Sequence, residues 1–418
     1  MLQIGLMVEL LNVDEAIARI LADIFPMGEE RVPLLKSLGR VLAEDIVAQE
    51  DLPLMDNSSM DGYAVRAADV LSAPINLRVV INQTTGKTTE KTIEATQAAR
   101  IMTGAVIPQG ADTVIPVEDT NSNWQISTDP ALPYDVTIRK TAPKGNAIRR
   151  AGEDIQKGQL LLKRGTITGP AEIGILAATG NANPSVFKRP KVAIISSGNE
   201  LIEPEEQLQP AKTRNANSYT LAALIQENGG EAVILPTATD TTASIQATFT
   251  EALRHQPNLI LSSAGVSVGA ADFVRSTLEQ MGELNFWRIN LRPGKPLAYG
   301  HLQGVPFFGL PGNPVSAMVT FEVIVRPALL KMGHRPDLRR IIHAKTTQAI
   351  QSDGRRSYLR VKLEASENGY TTTLTGTQSS GALSSMLYAD GLLIIPEDVY
   401  EVPAETELPV ILLNQAIR

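Results

Sequence analysis

The chain has 418 residues, 43% apolar and 20% charged, a balance with material for several packed cores and about two to four domains. A formal net charge of −7 gives no global attraction to nucleic acid or an anionic membrane, and no apolar run reaches the roughly 18 residues of a spanning helix. The lack of cysteine removes disulfides, thiolate metal sites, iron–sulfur clusters and cysteine nucleophiles, and with no signal peptide visible the expected location is cytoplasmic.

Residues Asn12 to Phe25 read as an amphipathic helix, with Val13, Ile17, Ile20, Leu21 and Ile24 on one face and Asn12 with Glu15 resembling a capping box. A short helical or mixed segment, Leu34 to Val47, leads to MDNSSMDGYAVR, Met55 to Arg66, which is turn chemistry followed by the start of a strand. Asp56 and Asp61 sit around this loop, where capping turn N–H groups is the simplest role for them. From Leu77 to Thr141, clusters of β-branched residues between Gly, Pro and Asn turns predict a mainly β module. IRRAGEDI, Ile148 to Ile155, puts two arginines among acids and reads as a salt-bridged turn.

Gly169 to Ala178 has a helical period, and from Lys191 the texture changes. Strands at KVAIIS, EAVIL and NLILS alternate with helices near Ser218 to Gln226, Ala243 to His255 and from about Asp272, the pattern of βαβ units on a parallel sheet. Such sheets bind ligands beyond the carboxyl ends of their strands. Ser196 to Glu200, Asp240, Ser262 to Asp272 and Pro311 to Ser316 are therefore expected at one rim, joined by Arg292 and Lys295 of RPGKP. After a helical stretch from Ser316 to Met332, five β-patterned segments from Ile341 onward predict a small barrel or sandwich.

Neither G-x-G-x-x-G nor a Walker loop is present, no G-x-S-x-G elbow appears, and the four histidines form no ligand spacing. Carboxylates, cations and Gly/Ser loops remain, a set that suits a phosphorylated or oxyanionic small molecule with Mg²⁺. Asp61, Asp154, Asp240 and Asp272 are the aspartates at issue. Each has a structural role available to it, Asp272 that of a helix N-terminal residue.

DNSSMDGYAV, RIMTGAVIPQGADTVIPVED, IRRAGEDI, SSGNEL, LSSAGVSVGAADFV, RPGKPLAYG and FFGLPGNPVSA occur in one order along nearly the whole chain. In this order the sequence resembles the MoeA family of molybdopterin molybdenumtransferases and the E domain of gephyrin-like proteins. The resemblance implies an elongated, four-part, multidomain α/β plus β subunit that forms a homodimer. Its parts are a small discontinuous segment (1–50 and 157–181), an inserted mainly β module (51–156), a three-layer molybdopterin-binding-like α/β domain (182–334) and a C-terminal β-barrel (335–418). The implied reaction takes adenylylated molybdopterin and molybdate to molybdenum-molybdopterin and AMP with Mg²⁺. The implied partners are the molybdopterin adenylyltransferase and apo-molybdoenzymes, with no nucleic acid and no membrane.

By the same resemblance, Asp61, Thr103 and Asp154 are the β-module contributions to a site composed between subunits, and Asp240 and Asp272 handle Mg²⁺ and the adenylate. Gly198, Glu200 and the Ser262–Gly269 loop, with Ser263, Gly265 and Ser267, contact pterin or phosphate, as do Pro311 and Pro314 of the PGNP loop. Arg292, Lys295, Ser316, Arg360 and Ser380 hold molybdate. The sequence departs from the family pattern at Ala264 (commonly Gly), Asn199 (commonly Asp) and Arg292 (frequently Lys). The alternatives are a scaffold protein that keeps the fold without the reaction, a molybdopterin adenylyltransferase, and tungstate as the oxyanion. Intact rim aspartates and cations disfavour the first, and the flanking β modules disfavour the second.

Overall fold

The computed structural model describes residues 10–122, 124, 131–263, 271–366 and 369–413, with backbone alone at 271–273 and 287. Two compact units emerge: one comprises Met1–Ala43, Gly165–Pro170 and Asn183–Arg418, the other Glu44–Arg164 and Ala171–Ala182.

The first unit is built on a six-stranded sheet in the order Glu231–Ile234, Lys191–Ser196, Leu259–Ser263, Val305–Leu310, Pro296–Leu302, Gly282–Arg288. The first four strands are parallel, the fifth runs antiparallel to them, and the sixth pairs antiparallel with the fifth. Alternation along each strand sends side chains to two faces. Val192, Ile194, Leu259, Leu261 and Phe308 face one core, which also contains Leu221 and Ile225 of the helix Ala216–Glu227. Ala193, Ile195, Ile260 and Phe307 face the other, with Ile245 and Phe249 of Thr242–Arg254 and Val274 and Leu278 of Ala271–Met281. Burial on both faces explains why these strands are continuous apolar runs in sequence.

The N-terminal helix, Val13–Asp23, begins where Asn12 Oδ1 accepts the N–H groups of Asp14 and Glu15. Its buried Val13, Ala16 and Ile20 belong to the first core, together with Tyr358, Leu392 and Ile411 of the C-terminal strands. Helix, sheet and C-terminal region thus share one continuous apolar core within the first unit. The predicted helical stretch before Gly333 consists of Pro314–Thr320, a π turn at Phe321–Val325 and Arg326–Met332. Pro327 lacks an N–H for the preceding turn, and the wider π turn absorbs that loss.

The C-terminal strands form a closed barrel in the order Arg356–Ser366, Gly369–Leu374, Ile341–Thr346, Glu407–Leu412, Gly391–Ile395 and back to Arg356–Ser366. Closure leaves these five strands no free edge, and Leu359, Val361, Leu393, Ile395 and Val410 fill the interior. A short strand, Leu291–Arg292, pairs in parallel with Arg356–Ser357 at the start of the first barrel strand. That ladder fixes the backbone of Arg292 on the barrel.

The second unit carries a five-stranded sheet in the order Thr113–Pro116, Gly62–Val65, Gln97–Ile101, Ile75–Gln83, Tyr134–Ile138. Tyr63, Val65, Leu77, Val79 and Val136 pack on one face, and Ala64, Ile81, Ile101 and Val114 on the other. A two-residue ladder joins Asn57–Ser58 to Ile148–Arg149, pairing two motifs that lie about 90 residues apart in sequence.

Candidate functional site

The carboxyl ends of the parallel strands of the first unit open onto a cavity of about 860 Å³. Its rim is made by the turn after Lys191–Ser196, by Asp240, by the PGNP loop after Val305–Leu310, and by RPGKP. Arg355, Arg360, Gln378 and Ser380 from the barrel complete the wall.

Two glycines are required by this geometry. Gly198 has φ +152°, and a Cβ there would lie 2.7 Å from the Glu200 carboxylate, so glycine is what lets Glu200 fold back across the turn. Gly294 has φ +124°, and a Cβ would lie 2.4 Å from Thr320 Oγ1, so RPGKP can lie against the helix only with glycine at that point. The strand ends are pinned by a polar network beneath them. Asn215 Nδ2 donates to Ser196 Oγ (2.9 Å) and Thr237 Oγ1 (3.2 Å), while its Oδ1 caps the following helix at Ser218 N–H. Asn217 donates to the Gly312 carbonyl (2.8 Å), and Val315 N–H to the Ser380 carbonyl (3.0 Å), which tie the PGNP loop to helix and barrel.

The cavity is rich in cations: Arg214, Arg292, Lys295, Arg355 and Arg360, against the carboxylates of Glu200 and Asp240. Asp353 takes a short ion pair from Arg355 (2.5 Å) and a long one from Arg292 (3.8 Å). Burial works against its ionised form, yet the hydrogen bonds of Arg355 hold its carboxyl below the ordinary value. Arg360 has no such partner among the described residues. It is fully buried under the cavity wall, and its Nε donates to Ser385 Oγ (3.1 Å) and Nη2 to the Ser379 carbonyl (3.0 Å). Gln378 clamps its backbone from both sides, accepting its N–H and donating to its carbonyl, each at 3.0 Å. Burial, with the nearby Arg292, pulls the Arg360 guanidinium down to about 10, so it stays charged at neutral pH.

Asp240 and Asn199 bond reciprocally: Asp240 Oδ2 accepts the Asn199 N–H (3.1 Å), and Asn199 Oδ1 accepts the Asp240 N–H (3.3 Å). An amide meets this geometry without placing a second negative charge beside Asp240. The other oxygen, Oδ1 of Asp240, makes no hydrogen bond among the described residues, and Glu200 lines the same cavity. Mg²⁺ is commonly held by one or two carboxylates with substrate phosphates and water, and Asp240 and Glu200 are the carboxylates this cavity offers, although no group of three metal-ligating side chains clusters among the described residues.

Gly198, Glu200, Asp240, Ser263, Arg292, Lys295, Pro311, Pro314, Ser316, Arg360 and Ser380 therefore line one cavity. Gly265, Ser267 and Ala264 lie outside the described residues, as does the side chain of Asp272, whose backbone is the second residue of the helix Ala271–Met281. Sequence reasoning missed Arg214, Arg355, Asn217 and Gln378. They stand outside the recognised motifs, and only the fold brings them to the rim.

In the second unit, Asp61 Oδ1 accepts both the N–H (2.7 Å) and the hydroxyl (2.9 Å) of Thr103, which joins two of the expected residues. Asp154 is exposed and is held through its backbone N–H to the Leu52 carbonyl (3.1 Å). Arg150 pairs with Asp56 (2.5 Å), as a salt-bridged turn requires, and the Asp56 carboxyl is lowered chiefly by the Ala151 N–H. Of the histidines, His334 stacks on Phe187 at 3.6 Å and His301 Nε2 lies 3.1 Å from Asp23, while His255 and His343 are exposed.

Comparisons with known proteins agree over most of the chain. Residues 11–180 match the MoeA N-terminal region (domain I and II), 193–331 a probable molybdopterin binding domain, and 343–413 the MoeA C-terminal region (domain IV). Molybdopterin molybdenumtransferase 2 of Mycobacterium tuberculosis (strain ATCC 25618 / H37Rv) is 38% identical over 91% of this chain and 94% of its own. Molybdopterin molybdenumtransferase of Haemophilus influenzae is 34% identical over 93% and 95%. The crystal structure of the molybdopterin biosynthesis MoeA protein from Pyrococcus horikosii superposes with a TM-score of 0.79 at 34% identity, covering 98% of this chain and 100% of that one. On the strength of these matches, the chain belongs to the MoeA family.

Proposed function

We propose that the protein inserts molybdenum into molybdopterin, converting adenylylated molybdopterin and molybdate to molybdenum-molybdopterin and AMP. The names of its curated relatives support the reaction class. The observation that carries the reading is Arg360, a buried guanidinium at the wall of a cationic cavity with no carboxylate to neutralise it among the described residues. A buried charge is costly unless paired, and a tetrahedral dianion in the cavity supplies the missing partner.

In this reading Arg360, Arg292 and Lys295 provide the positive potential for the oxyanion, with hydroxyl donors from Ser316 and Ser380. The turn at Gly198–Glu200, Ser263 and the PGNP loop hold the phosphate-bearing part of the pterin. Asp240, with Glu200 of the same cavity and Asp272 from the helix Ala271–Met281, would hold Mg²⁺. When bound, that ion would neutralise the charge that develops on the phosphoanhydride as AMP leaves. The same reading takes the molecule as a cytoplasmic homodimer of four-part subunits with a composite site, to which Asp61, Thr103 and Asp154 contribute. The adenylylating enzyme and apo-molybdoenzymes are its partners.

The test is AMP release from adenylylated molybdopterin and Mg²⁺, with and without molybdate. Molybdate-dependent release is expected, and tungstate run in parallel reports the choice of oxyanion. Tight pterin binding with no AMP released under either condition would reject the reaction in favour of a scaffold role.

A further inference from the structure

Away from the cavity, three arginines of the first unit converge on one turn, Leu38–Val41. Arg335 Nη1 donates to the Gly39 carbonyl (2.9 Å), and Arg189 Nη2 to the Leu38 carbonyl (3.3 Å). Arg40, from the turn itself, donates to the Phe187 carbonyl (2.7 Å) and to Glu30 (2.6 Å). Lys188 lines the same cleft. Carbonyls hold the guanidiniums of Arg189 and Arg335 in place without neutralising them. Among the described residues, the carboxylates that bear on Arg189 are Glu30, already hydrogen-bonded to Arg40, and the exposed Glu231, while Glu227 and Glu322 line a separate cleft that Arg335 also lines.

Two further observations show that the arrangement is built rather than incidental. Arg40 is 9% exposed, and its Nε is buried with no hydrogen-bond partner, a cost the fold carries at that point. Gly229 has φ +85°, and a Cβ there would stand 3.0 Å from Arg335 Nη1, so a glycine keeps the space in which that guanidinium lies. Mutual repulsion is also felt: burial first, then Arg40 on Arg189 and Arg189 with Arg326 on Arg335, pull both guanidiniums below their ordinary values. Like charges gathered with too few counter-charges are relieved by an external anion.

We propose that Arg189, Arg335, Lys188 and Arg40 form a second oxyanion site, separate from the cavity, for a tetrahedral dianion of the phosphate class. The cleft between these side chains holds only about 10 Å³, so the anion rests on its mouth as a surface ligand, with Arg189 and Lys188 on the exposed side. Paired guanidiniums suit a phosphate through parallel N–H donors, and each contact is strengthened by charge.

The experiment titrates inorganic phosphate into the full-length protein by calorimetry at constant ionic strength, with chloride as the matched control. A Lys295→Ala background weakens phosphate binding in the cavity. Saturable binding that persists in this background is expected, and its affinity should fall at least tenfold when Arg189→Gln and Arg335→Gln are added. Lys188→Gln, a surface change that leaves the turn intact, should weaken it several-fold and serves if the double variant does not fold. An isotherm unchanged by Lys188→Gln and by the arginine variants, or no saturable binding in the Lys295→Ala background, overturns the site.

Discussion

Arg360 and Arg326 are both buried arginines of the same unit, 0% and 9% exposed, and their surroundings differ in one respect. Arg326 donates to Asp337 (2.8 Å) and Asn228 (2.8 Å) and lies 3.8 Å from Glu322. Asp337 in turn receives Arg339 (2.7 Å), so this charge is answered inside the protein. Among the described residues, Arg360 donates to a hydroxyl and to carbonyls, and the charge that bears on it is another arginine, Arg292. A neutralised buried arginine holds a fold together, whereas one left unneutralised at a cavity wall is held for something outside the chain. The contrast separates structure from function without appeal to motif.

The largest effect should come from Arg360→Met. Loss of its charge is expected to lower molybdate-dependent AMP release about a hundredfold, an effect of about 2.7 kcal/mol on the barrier. Stability should change by less than about 1 kcal/mol, since the substitution removes an unpaired buried charge. Denaturant melts and rate measurements on one preparation check both halves, and an unfolded Arg360→Met protein would break the contrast. Next, Arg326→Met should destabilise by about 2 kcal/mol, below the full penalty for a broken buried pair because Asp337 keeps Arg339. Its AMP release per folded molecule should be unchanged. Equal stability of this variant and the parent in urea would show that the pair contributes nothing.

The smallest effect is pH-dependent. Burial of Asp337 favours its neutral form, but hydrogen bonds from Arg339 and Arg326 outweigh that and hold its carboxyl well below the ordinary value. A depressed carboxyl stabilises the fold above its unfolded pKa of about 4, and that contribution is lost as pH falls below it. Partial exposure screens the effect to under about 1 kcal/mol. Wild type should therefore lose more stability between pH 5 and 3 than Asp337→Asn does, read as the difference in melting temperature across that range. Parallel acid profiles would show that Asp337 contributes nothing to holding the paired arginine.

Much of the architecture was legible in local pattern alone. Apolar runs such as KVAIIS and NLILSS occur because both sheet faces are covered, and the period of SYTLAALIQ marks a helix with one buried side. The rim loops were legible for a related reason: in a parallel sheet, the loop leaving each strand lies at the carboxyl edge, so SSGNE, Asp240 and PGNP had to gather there. In the barrel, local pattern identified strands but no chemistry. Arg360 entered only through family resemblance, and Arg355 and Gln378 not at all, since nothing in RRSYLR or TQSS separates a cavity arginine from a solvated one. Asp61 and Thr103 were likewise named through resemblance, but their contact was not legible, because 42 residues separate the partners.

By itself the sequence determined periodicity, turn chemistry and the order of the motifs, because each depends on neighbours within a few residues. Tertiary structure decided where charge is left unanswered. Pairing of Leu291–Arg292 with Arg356–Ser357 brings RPGKP to the barrel, and the Gln378 clamp fixes the backbone of Arg360 below the wall. The fold of Leu38–Val41 against Arg189 and Arg335 gathers three guanidiniums from distant segments. Whether an arginine is neutralised depends on burial and on which carboxylates long-range packing brings within a few ångströms, and a one-dimensional pattern carries neither quantity.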